Sequence, residues 1–282
     1  MQNYGGLTEE YSQKDLSQIA IVPVPYDGTS TWVKGADKGP REILEASANM
    51  ELYDIETNSE VFRKGIFTSD FITGNESPEK MVKAVYDEVN SLIGAGKFLV
   101  VIGGEHSVSI GSIQAFAKNF SDLSVLQIDA HSDLRDEYEG SKNNHACVMA
   151  RAREVSSIVQ VGIRSCDSSE LSSIDTKRVF FAHQIHNNDA WMEKAIGLLS
   201  KNVYITIDLD AFDPSIMPST GTPEPGGMGW YQVLTFVERV IAARNLVGFD
   251  VVELCPTEGN KAPDFMAAKL IYRILSLKFN KD

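Results

Sequence analysis

The chain has 282 residues, of which 43% are hydrophobic and 23% charged, which suits one large α/β domain with a sizeable core. Its formal net charge of −13 argues against nucleic acid or an anionic membrane as a partner, since both require a basic face. A cationic small molecule fits better, although solubility alone also accounts for the charge.

Along the chain, short apolar runs alternate with helical patterns. Ile19 to Val24 is the first run. Ser77-Pro78 then reads as a helix start, an N-cap followed by proline at the first helical position. Met81, Val82, Val85, Val89, Leu92 and Ile93 trace one face of that helix, and Gly94 and Gly96 end it. Further runs are Phe98 to Ile102, Ser124 to Ile128, Ile158 to Ile163, Val179 to Ala182 and Val203 to Ile207. Trp230 to Arg244 reads as a helix, Leu246 to Leu254 as a strand, and Phe265 to Leu277 as a last helix. Several strands lack strict polar alternation, as expected when both faces are buried. Strands alternating with helices predict a mainly parallel sheet covered on both sides. No linker or repeat interrupts the pattern, so a single domain over residues 1–282 is expected.

Cys147, Cys166 and Cys255 have no C-x-x-C spacing, so neither a disulfide framework nor a structural zinc site is expected. The N-terminal MQNYGGLTEEYSQKDL has no basic start and no apolar stretch, and nothing has the length of a membrane span. A cytoplasmic protein is the expectation.

In open parallel sheets, ligands bind beyond the carboxyl ends of the strands. Three runs end there in polar clusters. The first leads into Gly103-Gly104-Glu105-His106-Ser107, the second into Asp129-Ala130-His131-Ser132-Asp133, and the third into Asp208-Leu209-Asp210. Any one of these residues also reads as a turn or a structural histidine. Three clusters at equivalent strand ends point instead to convergence on a metal site. Crowded aspartates repel one another, and divalent cations remove that cost. Four carboxylates and two imidazoles without a thiolate form a moderately hard donor set that suits manganese best. Two such ions about 3.5–4 Å apart bring the pKa of a shared water close to neutral and so generate a nucleophile.

These motifs resemble the signatures of the arginase/agmatinase (ureohydrolase) family: GGEHS, DAHSD and ITIDLDAFDP. PYDGTSTWVKGADKGPREILEAS, STGTPEPGG and FDVVELCP are similar to other segments of that family, the first two especially to agmatinases. The resemblance implies a three-layer αβα fold and two manganese ions per subunit. His106, Asp129, Asp133 and Asp208 would hold one ion. Asp129, His131, Asp208 and Asp210 would hold the other, with Asp129 and Asp208 bridging. His145 stands where the family has a proton-shuttling histidine, and Glu253 where it has a glutamate that binds the guanidinium. Asp167 and Glu170 match a segment that touches the substrate's amine end in the arginase branch.

The implied reaction splits a guanidino compound into urea and an amine, with agmatine, giving putrescine, as the favoured substrate. Guanidinobutyrate, an agmatine conjugate, arginine and formimidoylglutamate remain alternatives, as does a non-catalytic relative of the same fold. A phosphoesterase with such a metal pair is disfavoured, because no P-loop lysine accompanies GGEHS. The family forms trimers and hexamers, so a homo-oligomer is expected. Three departures stand out. Glu105 replaces the usual aspartate of the first motif. Asn144-His145-Ala146 replaces Ser- or Asp-His-Gly. The Leu134 to Asn144 loop lacks the Asn and Ser pattern that grips an α-carboxylate in arginases, which disfavours free arginine.

Overall fold

A computed structural model of the protein describes residues 3–73, 76–186 and 188–280; Met1 and Gln2 of the N-terminal stretch read above lie outside them. The described strands are β1 (Ile19–Val24), β2 (Ile66–Thr68), β3 (Phe98–Gly103), β4 (Leu123–Ile128), β5 (Ser157–Ile163), β6 (Val179–Phe181), β7 (Asn202–Asp208) and β8 (Asn245–Val252). They form one sheet in the order β2-β1-β3-β8-β7-β4-β5-β6, and every pairing is parallel.

The strands read as continuous apolar runs because each feeds two cores. In β1, Ile19 and Ile21 enter one core while Ala20, Val22 and Val24 enter the other. In β3, Val100 and Ile102 face the first side and Leu99 and Val101 the second. In β4 and β7 the same period of two sends Leu126, Ile128, Ile205 and Ile207 to the first core and Val125 and Tyr204 to the second. Each buried aliphatic side chain contributes about 1.5–3 kcal/mol.

Helices cover both faces, which gives the three-layer architecture. They are α1 (Gly39–Ser47), α2 (Pro78–Gly94), α3 (Val108–Asn119), α4 (Val148–Val155), the short α5 (Ala182–Ile185), α6 (Ala190–Leu198), α7 (Trp230–Ala243) and α8 (Ala262–Phe279). The apolar faces of α1, α6, α7 and α8 meet the first core, and those of α2, α3 and α4 the second. Ser77 caps α2, its hydroxyl accepting from Lys80 N–H, with Pro78 next in the chain. No helix among the described residues is long and apolar enough to cross a membrane.

Two details differ from the sequence reading. The three-residue edge strand β2 carries too few residues to show a period, so it was not predicted. The last apolar run leaves the sheet after Val252, and Glu253 adopts φ +67°, in the left-handed region. That conformation costs a non-glycine residue about 1–3 kcal/mol and directs attention to what Glu253 does.

Strand order positions the site. The carboxyl ends of β3, β8, β7 and β4 lie side by side. Ile128 pairs with Ile207, so the next residues, Asp129 and Asp208, stand at the same level. Asp208 in turn pairs with Val252, the residue before Glu253. Gly104 brings His106 into this row. Its N–H donates to Val24 O at 2.8 Å, and a Cβ on it would stand 1.9 Å from Tyr26 O, so no side chain fits there.

Candidate metal centre

The six expected ligands come together in two groups that share Asp129. Around His106 Nδ1, Asp133 Oδ2 stands at 3.0 Å, Asp129 Oδ2 at 3.2 Å and Asp208 Oδ2 at 3.4 Å. In the second group, His131 Nδ1 lies 2.8 Å from Asp210 Oδ2 and 3.8 Å from Asp129 Oδ1. Asp129 thus turns one oxygen to each group. Asp208 turns Oδ2 to the first group, and its Oδ1 accepts the N–H of Asp210, a member of the second, at 2.8 Å.

These groups fit cations. His106 is 1% exposed, and its Nδ1 makes no hydrogen bond although carboxylates surround it. Ligand atoms about 2.1 Å from one ion, at right angles, stand about 3 Å apart, close to the spacing seen here.

The residues behind the ligands set their orientation. His106 Nε2 lies 2.8 Å from Thr206 Oγ1, and that hydroxyl donates to Asp250 Oδ1 at 2.6 Å. Its proton being so committed, Thr206 accepts from Nε2–H, which leaves the Nδ1 lone pair for a metal. Tyr204 donates to the other Asp250 oxygen at 2.7 Å. Gln127 Nε2 donates to Asp129 Oδ2 at 2.7 Å, and Gln160 Nε2 holds Gln127 Oε1 at 2.6 Å and Ser132 O at 2.8 Å. Arg164 donates to Asp210 O at 2.6 Å. Asp133 sits at φ +53°, its carbonyl receiving the N–H groups of Met149 and Ala150 at the start of α4. Thr206 lies in ITIDLDAFDP and Asp250 in FDVVELCP, whereas Gln127, Gln160, Arg164 and Tyr204 lie in none of the segments quoted above. The sequence signal that Gln127, Gln160, Thr206 and Asp250 share is polarity inside buried apolar strands.

Charge crowding leaves its mark on acidity. Burial, with Asp133 and Asp210 close by, raises Asp129 to about 7. Burial, then Asp210 and Asp129, holds Asp208 well above the carboxylate range. For the imidazoles, burial alone would favour the neutral form. It is outweighed by the surrounding carboxylates, chiefly Asp210 for His131, which rises to about 11; Asp129, Asp133 and Asp208 together hold His106 well above its usual value. These shifts favour the protonated forms of the cluster in the absence of metal, and a metal must displace protons to bind. Manganese uptake is expected to release protons and to tighten as pH rises. Calorimetry in buffers of different ionisation enthalpy measures this, and heats independent of the buffer would contradict it.

The groups form the floor of a cleft of about 280 Å³, lined also by His145, Glu253, Asp167 and Glu170. Glu253 Oε1 accepts His106 N–H at 2.7 Å, while Oε2 accepts no hydrogen bond among the described residues. Burial, then Glu105, pushes Glu253 well above its ordinary value, a state that a cation in the cleft would reverse. His145 stands in the wall, half-buried, with the Tyr138 ring edge-on at 6.1 Å.

Glu170 is 4% exposed and engaged: Oε1 accepts Ser132 Oγ and Leu134 N–H, each at 2.7 Å, and Oε2 accepts Asp167 N–H at 2.7 Å. It ties the Asp129–Asp133 loop in place. Asp167 caps the short helix Ser168–Glu170 and is exposed at the rim. The Arg135 guanidinium lies 3.7 Å from Asp167, 3.9 Å from Glu170, and 4.3 Å from the Tyr138 ring centroid.

A parallel sheet that gathers carboxylates and imidazoles at its carboxyl edge defines an α/β protein with a candidate metal centre. Comparison with known proteins narrows this: the Arginase family model matches residues 17–276, and the chain belongs to that family. The N(1)-aminopropylagmatine ureohydrolase of Synechocystis is 39% identical over 91% of this chain and 88% of its own length. The agmatinase of Pyrococcus horikoshii is 31% identical over 94% of this chain and 93% of its own. Among solved structures, the agmatine ureohydrolase of Thermoplasma volcanium superposes with a TM-score of 0.89 at 29% identity, covering 99% of this chain and 95% of that one.

Proposed function

We propose that the chain, acting as one domain, hydrolyses an agmatine-type guanidino compound to urea and an amine with manganese as its metal. The observation that carries this reading is Glu253. A strained, buried carboxylate reaches the same cleft as the two ligand groups with one oxygen unengaged. A carboxylate so placed matches a planar guanidinium in shape and in charge.

His106, Asp129, Asp133 and Asp208 would hold one ion, and Asp129, His131, Asp208 and Asp210 the other. When bound, the ions supply Lewis acidity and bring the pKa of a water close to neutral. Glu253 holds the guanidinium over the floor of the cleft so that its central carbon is presented in one orientation. His145, in the wall, carries a proton to the departing amine nitrogen, which is too basic to leave unprotonated. Asp167 at the rim offers a cationic tail a carboxylate, for which the tail would compete with the Arg135 guanidinium 3.7 Å away.

A longer tail is favoured by two relatives named for N(1)-aminopropylagmatine, 39% and 37% identical to this chain, and by the exposure of Asp167 at the rim. Urea release from agmatine, N(1)-aminopropylagmatine, guanidinobutyrate and arginine, measured with manganese-loaded protein, tests the reading. Turnover is expected with the first two and highest with the aminopropyl compound. Release only from arginine or guanidinobutyrate, or from none, would overturn it.

A further inference from the structure

We propose that Thr29 and Glu105 are positioning residues that hold the His145 ring in the tautomer protonated at Nδ1, leaving Nε2 to exchange protons with the cleft. This deepens the hydrolase reading above and rests on it.

Thr29 is 7% exposed, in the loop after β1, and its hydroxyl is fully committed. It donates to Glu105 Oε1 at 2.9 Å. Glu105 is wholly buried and also takes Ser107 Oγ at 2.7 Å on the same oxygen and Ser107 N–H at 2.8 Å on the other. All three partners are donors, so Glu105 acts throughout as the acceptor and Thr29 has no second proton to give. The Thr29 oxygen is then available only as an acceptor. It receives the His145 backbone N–H at 3.0 Å, and His145 Nδ1 lies 3.3 Å away. Two acceptor positions meet two donors only if Nδ1 carries its proton. Nε2 makes no hydrogen bond to the described residues, and His145 borders the cleft. The arrangement is a carboxylate, a hydroxyl and an imidazole in series, the hydroxyl relaying the orientation that a carboxylate imposes directly in a catalytic triad. It also gives Glu105 a task. The residue stands beside a metal ligand and is turned away from the metal groups, toward the proton carrier.

Steady-state kinetics on manganese-loaded Thr29→Val, Thr29→Ser and His145→Asn proteins, with Thr29→Val repeated in the His145→Asn background, test this. Thr29→Val is expected to lower kcat by about 10–100-fold with KM within about twofold and manganese content unchanged. Thr29→Ser, which keeps the hydroxyl, is expected to retain at least about a third of kcat. In the His145→Asn background, where the backbone N–H remains but the ring does not, Thr29→Val should cost less than about twofold more. An equal loss in both backgrounds would make Thr29 a loop anchor and overturn the proposal, as would a Thr29→Val kcat within about threefold of wild type. Thr29→Ala carries the same comparison if the valine protein fails to hold metal. An inactive wild type would remove the hydrolase reading and this role with it; an active wild type indifferent to Thr29→Val would remove this role alone.

Discussion

Asp208→Asn is expected to lower urea release by at least about a thousandfold while leaving a metal-free protein that unfolds at a higher temperature than the metal-free wild type. The two effects have one cause. Asp208 is 4% exposed, and burial together with Asp210 and Asp129 works against its ionised form. A neutral amide of the same shape removes that cost, and active-site charge of this kind is commonly held at the expense of stability. The gain should appear as a rise of about 2 °C in the unfolding midpoint for each kcal/mol recovered. Metal binding reverses the balance, because the donor oxygen facing His106 Nδ1 loses its charge. Losing about 4 kcal/mol of charge stabilisation at the reacting carbon corresponds to about a thousandfold in rate. Urea assays, metal analysis and paired thermal melts with and without manganese check all three parts. An active variant, or a metal-free variant that melts lower than the metal-free wild type, would contradict the account.

Glu253→Gln is expected to cost about 100–1000-fold in kcat/KM with both ligand groups still able to bind manganese. The glutamine oxygen can replace Glu253 Oε1 as acceptor for His106 N–H, so the loop beside the ligands keeps its anchor. The amide nitrogen then faces the cleft where a carboxylate oxygen stood. A hydrogen bond to a charged group contributes about 1.5–3 kcal/mol, and a bidentate carboxylate–guanidinium pair has two. Replacing an acceptor with a donor therefore lowers kcat/KM sharply and, because Glu253 is not among the six ligands and touches His106 only through its backbone N–H, spares metal content. Loss of manganese in proportion to activity would place Glu253 in the metal centre rather than over it.

Much of this was legible in the sequence, for a physical reason. Strands buried on both faces need apolar residues at every position, so β1, β3, β4 and β7 appear as unbroken runs. An aspartate or histidine just past such a run is conspicuous, as at His106, Asp129 and Asp208. Strand order was not legible, since period and composition say nothing of which strand lies beside which. The support behind the ligands depends on that order. Thr206 reaches Asp250 because β7 adjoins β8, and Gln127 reaches Gln160 because β4 adjoins β5. Glu170 is a different case. Its carboxylate was expected to meet a substrate tail, and the structure has it holding Ser132, Leu134 and Asp167. The spacing Asp167-x-x-Glu170 is that of a capping box, a local signal available in the sequence all along. The conformation of Glu253 left no trace in the residue pattern, because the apolar run continues through Leu254 after the strand has ended.

The central claim is that six residues from three strand ends form one centre for a pair of ions. Anomalous diffraction at the manganese edge, from crystals of the manganese-loaded protein, tests it most directly. The account predicts two peaks on the cleft floor, one among His106, Asp129, Asp133 and Asp208 and the other among Asp129, His131, Asp208 and Asp210. A single peak, or peaks away from these residues, would contradict it.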